Sequence, residues 1–278
     1  MEKIHIEENT VQATLVIPLY ARKQCTERFP DLFQDPKASE LIDRIDYDFT
    51  QIEKKSNRLM QKFGALEVAM RQSDMAIEIA QYLKEHPKAA VVNLGCGLDQ
   101  TAENCDNGLC KIYNLDYPDV IEIRNQLLPG NDRIKNIPAD LNDIRWFEKI
   151  DAQNGAVFFA GGVFYYFKKE QVKKLFNAMA RSFKGGKLVF DIAGKRAVNM
   201  MIKTWVRQAG MKDVNAFFYV NDINKDILPW IENMKVSSRG YMLGYHSLKN
   251  PSVPALFRLF SKIGDEQMHM QIVRLDFI

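Results

Sequence analysis

An α/β fold built on a mostly parallel sheet is what this sequence predicts, and three observations carry the prediction. First, Ala89-Ala90-Val91-Val92-Asn93-Leu94 is a short apolar run that stops at Gly95, the pattern of a strand buried on both faces. Second, similar short runs recur at Lys111–Leu115, Ala156–Ala160 and Lys187–Asp191. Third, helical patterns separate several of them: within Lys169–Phe183, the apolar residues Val172, Leu175, Phe176 and Met179 keep spacings of three and four. Strands alternating with helices favour parallel pairing through crossover connections.

The elements follow in chain order. Val11 to Ile17 reads as a weak strand that turns at Pro18. Asp35-Pro36 opens a helix, because Asp is a favoured N-cap and Pro suits the first helical position. Ala38, Leu41, Ile42 and Ile45 then form one apolar face. A second helical stretch covers Phe49 to Met70, with Phe63, Leu66 and Met70 on one side. Ser73 is placed to cap a third helix, which carries Ile79 and Leu83 and ends before Pro87. After the strands at 89–94 and 111–115, a helix is expected over Val120–Leu128 and a third strand just ahead of Asp140. Phe217–Val220 and Met268–Phe277 complete the strand set, the last read as an antiparallel edge. Neither a repeat nor a Gly/Ser/Pro linker divides the chain, so one structural domain with an N-terminal extension is expected.

Composition narrows the class of function. A chain of 278 residues can bury a sizeable core, and 46% hydrophobic with 26% charged residues excludes wholesale disorder. A net charge of +3 provides no electrostatic footprint for nucleic acid or an anionic membrane. Met1 to Thr10 contains no apolar h-region, so no signal peptide is expected. The most apolar run, Val157–Phe167, includes two glycines and is too short to span a bilayer. Cys25, Cys96, Cys105 and Cys110 form no C-x-x-C pair and have no histidines at zinc spacing. Reduced thiols in a cytoplasmic protein without a metal are therefore expected, with a Cys105–Cys110 disulfide left open.

The strongest local signal is Val91-Val92-Asn93-Leu94-Gly95-Cys96-Gly97-Leu98-Asp99, a strand that ends in two closely spaced glycines. Glycine allows a tight turn and close backbone approach to a ligand, and ligands of open α/β sheets sit at the carboxyl ends of strands. A dinucleotide fingerprint would need glycine at position 100, where this chain has Gln100. Asp116 closes the next strand, in the position from which a carboxylate accepts hydrogen bonds from both ribose hydroxyls of a nucleoside; a helix N-cap is its bland alternative. Asp140 is open to two readings, an adenine contact or a helix cap.

These residues carry a resemblance. The chain resembles the leucine carboxyl methyltransferase superfamily, most of all its branch of small-molecule O-methyltransferases similar to the tetracenomycin polyketide enzyme. Ile17-Pro18-Leu19-Tyr20-Ala21-Arg22 resembles the family's N-terminal lid, and Asp35-Pro36-Lys37-Ala38 its Asp-Pro-x-Ala. Arg71 with Asp74 resembles the Arg-x-x-Asp helix before the first strand, and Val92–Asp99 the cofactor loop. Leu115-Asp116-Tyr117-Pro118-Asp119-Val120 resembles Asp-x-Pro-x-Val, and Ala160–Phe167 lies where the family has a strand-4 motif. The resemblance implies a class I methyltransferase fold, a Rossmann-like, seven-stranded, mostly parallel sheet flanked by helices. It divides the chain into an N-terminal helical lid (1–70) and a cofactor-binding core (71–278).

The implied cofactor is S-adenosyl-L-methionine, which leaves as S-adenosyl-L-homocysteine. The resemblance implies that Arg71 pairs with its methionine carboxylate, a job suited to a guanidinium fork. It places Gly95, Cys96 and Gly97 along the methionyl and ribose portions, Asp116 and Tyr117 at the ribose, Asp140 and Leu141 at the adenine, and Gly161 near the ammonium. Two departures stand out. Many members carry an acidic residue where this chain has Gly161, and the residues after Gly-Leu-Asp are Gln100-Thr101-Ala102.

A small-molecule methyl acceptor bearing a hydroxyl or a carboxylate is the expected partner, with no nucleic acid or membrane. A carboxylate acceptor needs no general base near neutral pH, whereas a phenol benefits from one. His246, in a late loop, is the candidate base. The aromatic groups Phe164-Tyr165-Tyr166-Phe167 and Phe217-Phe218-Tyr219, with Trp230, Tyr241 and Tyr245, read as core or pocket wall. Tyr165 and Tyr166 are the candidates for acceptor contact, since they follow a strand's carboxyl end. Two competing readings are a member of the fold that binds cofactor or partner without turnover, and an NAD-dependent oxidoreductase, which Gln100 disfavours.

Overall fold

The computed structural model describes residues 3–7, 13–206 and 215–278. In chain order these form β1 (Ile4–His5), α1 (Ala13–Arg28), α2 (Pro36–Asp43), β2 (Ile45–Asp46), α3 (Thr50–Ser56), α4 (Leu59–Glu85) and β3 (Ala90–Leu94). Then come α5 (Thr101–Asn104), β4 (Lys111–Asp116), α6 (Pro118–Leu127), β5 (Ile134–Pro138), β6 (Ala156–Ala160), α7 (Lys169–Ser182) and β7 (Lys187–Ile192). The chain closes with α8 (Lys195–Met201), α9 (Ile223–Asp226), β8 (Met234–Gly240), α10 (Ala255–Gln267) and β9 (Gln271–Phe277).

Seven strands make one sheet in the order β5-β4-β3-β6-β7-β9-β8. The first five run parallel, while β9 is antiparallel to both β7 and β8. The strand order reverses between β3 and β6, which opens a crevice at their carboxyl ends. Side chains alternate between two cores. Val92, Tyr113, Phe158 and Leu188 pack with α7 on one face, and Val91, Ile112, Val157 and Val189 pack with α4 and α10 on the other. This two-sided burial is why the strands read as continuous apolar runs. A third core joins α1, α2 and α6 through Leu19, Leu41 and Ile123, placing the N-terminal helices beside the crevice.

Local caps behave as the sequence predicts at α2, where Asp35 Oδ1 accepts from Ala38 N at 3.0 Å. Four readings need correction. The segment before Pro18 is helical: α1 runs through Pro18, because Leu15, Val16 and Leu19 bury at helical spacing and this packing overrides their strand propensity. Val11 and Gln12 lie outside the described residues. Ser73 caps nothing, since α4 is continuous from Leu59 to Glu85 across positions 70 and 71. Phe217–Val220 is extended but joins no ladder; Phe217 N and Phe218 N both donate to Tyr165 O, and Val220 N donates to Ala193 O. Finally, β9 is interior, and the edge is β8, whose mixed sequence (MKVSSRG) hides it from a hydrophobic scan. The four cysteines are free thiols.

Candidate active site

A cleft of 840 Å³ opens at the carboxyl ends of β3, β4, β6 and β7. Its floor is the Gly95–Asp99 loop with Asp116, Tyr117, Ala139 and Leu141. Its walls come from α1 (Leu15, Ile17, Pro18, Arg22), α4 (from Met60 to Met75), the 161–167 segment and α8.

The glycine loop is fixed from several sides. Gly95 and Gly97 both take positive φ, 67° and 47°. A Cβ on Gly95 would stand 2.6 Å from Val163 Cγ2, so the position is closed sterically as well as conformationally. Gly97 N donates to Asp116 Oδ2 and Tyr117 N to Oδ1, each at 2.8 Å. Burial raises the Asp116 carboxyl above its ordinary value, and these two backbone donors oppose the rise. Asp99 accepts from Thr101 Oγ1 (2.8 Å) and Asn93 Nδ2 (3.1 Å), pinning the start of α5 to β3.

Two arginines to which the sequence analysis gave no role of their own hold this loop. Arg124, fully buried on α6, donates to Gly97 O (2.9 Å), Asp99 O (2.8 Å), Glu103 Oε1 (2.7 Å) and Asn136 Oδ1 (3.1 Å). Its signal was present: it shares the stripe of Val120, Ile123 and Leu127, where an arginine stands among apolar residues at helical spacing. Arg22, on α1, donates to Asp35 Oδ2 (2.8 Å) and Leu98 O (2.9 Å), which ties the N-terminal helices to the loop. Both partners of that ion pair are buried.

Across the cleft, Arg71 and Asp191 meet from positions 120 residues apart: Arg71 Nη1 lies 3.1 Å from Asp191 Oδ2. Asp191, next to last in β7, also accepts from Gly162 N (2.7 Å) and Tyr165 OH (3.1 Å). Burial works against the Arg71 charge, but Tyr241, Asp191 and Tyr165 outweigh it and keep the guanidinium protonated. Burial and Asp191 together push the Tyr165 hydroxyl well above its usual value. The bare backbone at 161–162 makes room for this pair: a Cβ on Gly162 would sit 2.7 Å from Arg71 Nη1. Asp191 thus supplies a carboxylate on this side of the cleft, where Gly161 has no side chain. An acidic residue closing a parallel strand was its only sequence signal.

Of the residues singled out from sequence, Arg71, Gly95, Cys96, Gly97, Asp116, Tyr117, Leu141, Gly161, Tyr165 and Tyr166 all line the cleft. Asp140 does not. It is exposed, and its Oδ1 accepts from Asn142 N and Nδ2, both at 2.9 Å, closing a turn that points Ala139, Leu141 and Asn142 inward instead. Nor does His246 line it: His246 Nε2 lies 2.7 Å from Asp74 Oδ1, a buried carboxylate away from the cleft. Phe167 and Tyr241, read from sequence as core or pocket wall, line the cleft with Tyr165 and Tyr166, and Phe63, read only as part of a helix face, joins them. Trp230 and Phe164 belong to the core, and Phe217 is exposed. Glu67, on α4, lines the cleft as well. No helix among the described residues is long and apolar enough to cross a membrane.

Known proteins share this architecture. The chain is 29% identical over 182 residues to the tetracenomycin polyketide synthesis O-methyltransferase TcmP of Streptomyces glaucescens, a match covering 65% of each. It therefore spans just under two thirds of that relative's length. Among solved structures, a DUF574 family protein from Streptomyces avermitilis superposes with a TM-score of 0.61 at 12% identity, over 85% of this chain and 92% of that one. The plantazolicin methyltransferase BamL, solved with a triazolic desmethylplantazolicin analog and S-adenosyl-L-homocysteine, gives 0.52 at 10% identity over 96% and 99%. At such identities these likenesses concern the fold alone, which they identify as the class I methyltransferase fold. The family model for leucine carboxyl methyltransferase, whose members use S-adenosyl-L-methionine, matches residues 13–180, more than half of the chain. From α1 through α7, with the glycine loop and Arg71 inside the matched stretch, the chain belongs to the leucine carboxyl methyltransferase family.

Proposed function

We propose that this protein is an S-adenosyl-L-methionine-dependent O-methyltransferase acting on a hydroxyl or carboxylate of a small organic acceptor. One observation carries the reading: the Gly95–Gly97–Asp116 cradle and the Arg71–Asp191 pair face a single cleft of 840 Å³. The residues fit the cofactor at both ends. Asp116 offers a carboxylate beside the glycine turn for ribose hydroxyls, with Tyr117, Ala139 and Leu141 forming the adenine wall. Arg71 suits an α-carboxylate and Asp191 an α-ammonium, so the pair presents the complement of an amino-acid zwitterion.

When bound, the cofactor supplies a sulfonium methyl that is already activated. What remains for the chain is to hold the acceptor oxygen in line and exclude water, and positioning of this kind provides much of the rate. Tyr165, Tyr166, Phe63 and Tyr241 present flat apolar surface for an acceptor with a ring. Arg22 holds α1 against the loop, so the N-terminal helices act as a wall over the cofactor. The net charge of +3 and the four free thiols support a cytoplasmic, small-molecule role.

Calorimetric titration tests this directly. S-adenosyl-L-homocysteine should bind with one-to-one stoichiometry and NAD should not. Arg71→Ala should weaken the nucleoside by about 10- to 100-fold, the usual worth of a charged hydrogen bond. A folded protein that ignores S-adenosyl-L-homocysteine and binds NAD would overturn the assignment.

A further inference from the structure

We propose that Arg71 and Asp191 act as one self-neutralising pair that sets which nucleosides the cleft takes: a ligand carrying both charges of an amino acid or neither, but not one alone. The proposal rests on the methyltransferase reading above and adds a charge rule to it.

The pair is close and sheltered. Arg71 Nη1 lies 3.1 Å from Asp191 Oδ2, and the two side chains are only 17% and 5% exposed. Each is the other's counterion in a poorly hydrated place, where a lone charge is costly. The surroundings fix both ends. Asp191 accepts from Gly162 N on Oδ1 at 2.7 Å and from Tyr165 OH on Oδ2 at 3.1 Å. Arg71 lies along the bare backbone of 161 and 162, where an added Cβ would stand 3.5 Å from its Nε and 2.7 Å from its Nη1 respectively. A side chain at 162 would collide with the guanidinium, so the glycine keeps the contact with Asp191 direct.

Each member also has capacity beyond the other. The contact runs through Nη1 and does not engage Nε or Nη2, which suit a ligand carboxylate. A carboxylate offers about four acceptor positions, and three on Asp191 serve Arg71, Gly162 and Tyr165, which leaves one for an ammonium.

The charge rule follows from adding ligands to this arrangement. A zwitterion brings its carboxylate to Arg71 and its ammonium to Asp191, and the four charges sum to zero. An uncharged thionucleoside leaves the protein pair satisfied. An ammonium alone places a second cation beside Arg71 with a single anion between them. A carboxylate alone places a second anion beside Asp191. Leaving one buried charge uncompensated costs more than removing both members of a pair. Neighbouring groups do not supply the missing charge. Burial opposes the Arg71 charge, but Tyr241, Asp191 and Tyr165 outweigh it. Glu67, one turn earlier on α4, has its carboxyl raised by burial to about 7 against the pull of Arg71, so it is mostly protonated at about pH 6.

Four ligands close the test: S-adenosyl-L-homocysteine, its decarboxylated and deaminated analogues, and propylthioadenosine, which lacks both groups. Their affinities for the full chain are measured at about pH 6 by displacement calorimetry. Each singly charged analogue should bind about a hundredfold more weakly than S-adenosyl-L-homocysteine and no more tightly than propylthioadenosine. The loss on removing both groups should fall far below the product of the two single losses. Single substitutions should invert the order in mirror image. Asp191→Asn should favour the deaminated analogue over propylthioadenosine by about tenfold, and Arg71→Gln should favour the decarboxylated one by about as much. A change in fold stability alone would move all four ligands together.

Multiplicative losses in the wild type, or propylthioadenosine weaker than either singly charged analogue or undetectable, would overturn the proposal. Variants that shift all four affinities equally would overturn it too, and if a variant does not fold the wild-type cycle still decides. Failure of the wild type to bind S-adenosyl-L-homocysteine would instead defeat the reading beneath it.

Discussion

Replacing Arg124 with methionine should damage stability and cofactor binding together. The guanidinium is wholly buried and satisfies four acceptors: the carbonyls of Gly97 and Asp99, the Glu103 carboxylate and the Asn136 side chain. Methionine fills most of the volume but leaves Glu103, whose side chain is only 20% exposed, without its cation. Removing one partner of a buried ion pair typically costs about 3–5 kcal/mol. For a chain of this size that is a fall of roughly 6–20 °C in melting temperature. The Gly97 and Asp99 carbonyls also lose their donors, so the loop that presents Gly97 to Asp116 is freed. Arg124→Lys should recover only part of the loss, since one ammonium cannot serve the same fork of acceptors. Urea unfolding, paired with S-adenosyl-L-homocysteine calorimetry, measures both effects. An Arg124→Met protein within about 0.5 kcal/mol of wild type, a difference typical of surface substitutions, with unchanged nucleoside affinity would refute the reasoning.

Two further outcomes are expected. Gly95→Ala should cost about 1–2 kcal/mol of backbone strain at its φ of 67°, plus about 1–3 kcal/mol for the methyl meeting Val163, and should weaken nucleoside binding; thermal melts with and without S-adenosyl-L-homocysteine check both parts. Asp265 gives a pH signature: burial, reinforced by Asp74, raises its carboxyl from an ordinary 3.8 to about 8, and its Oδ1 is buried without a partner among the described residues. The folded protein then holds the proton that the unfolded chain releases, so this group's stabilising contribution is complete below pH 4 and is lost as pH rises toward 8. Asp265→Asn mimics the protonated form and should flatten that decline; urea midpoints with the same pH slope in both proteins would contradict it.

Much of the fold was legible because its signals are local. The parallel strands are apolar runs bounded by turn residues, and the cap at Asp35 needs only its own neighbours. The glycine turn and Asp116 stood out because a strand end followed by two glycines is unusual at short range. The misreadings came where tertiary packing overrode local preference. Val16 and Ile17 suggest a strand, yet burial of Leu15, Val16 and Leu19 against α2 and α6 winds the segment into α1. Strand β8 was invisible, for an edge strand with one solvated face has no apolar run to find.

The same division runs through the site. By itself the sequence determined the sheet class, the cradle at Gly95–Gly97, Asp116 and, through the family resemblance, Arg71. Each lies on or beside a strand or helix whose pattern is written within a few turns of chain. Only the tertiary structure decided what Arg71 faces: Asp191 arrives from a strand 120 residues away, and the glycines at 161 and 162 leave space for the contact. It alone directed Glu67 into the cleft and drew His246 away to Asp74. It also hid Arg124 beneath the loop it supports. Such assignments depend on burial and on charges brought together across the chain. A periodicity can indicate that a face turns inward, but the groups waiting there are fixed only when the other elements have packed against it.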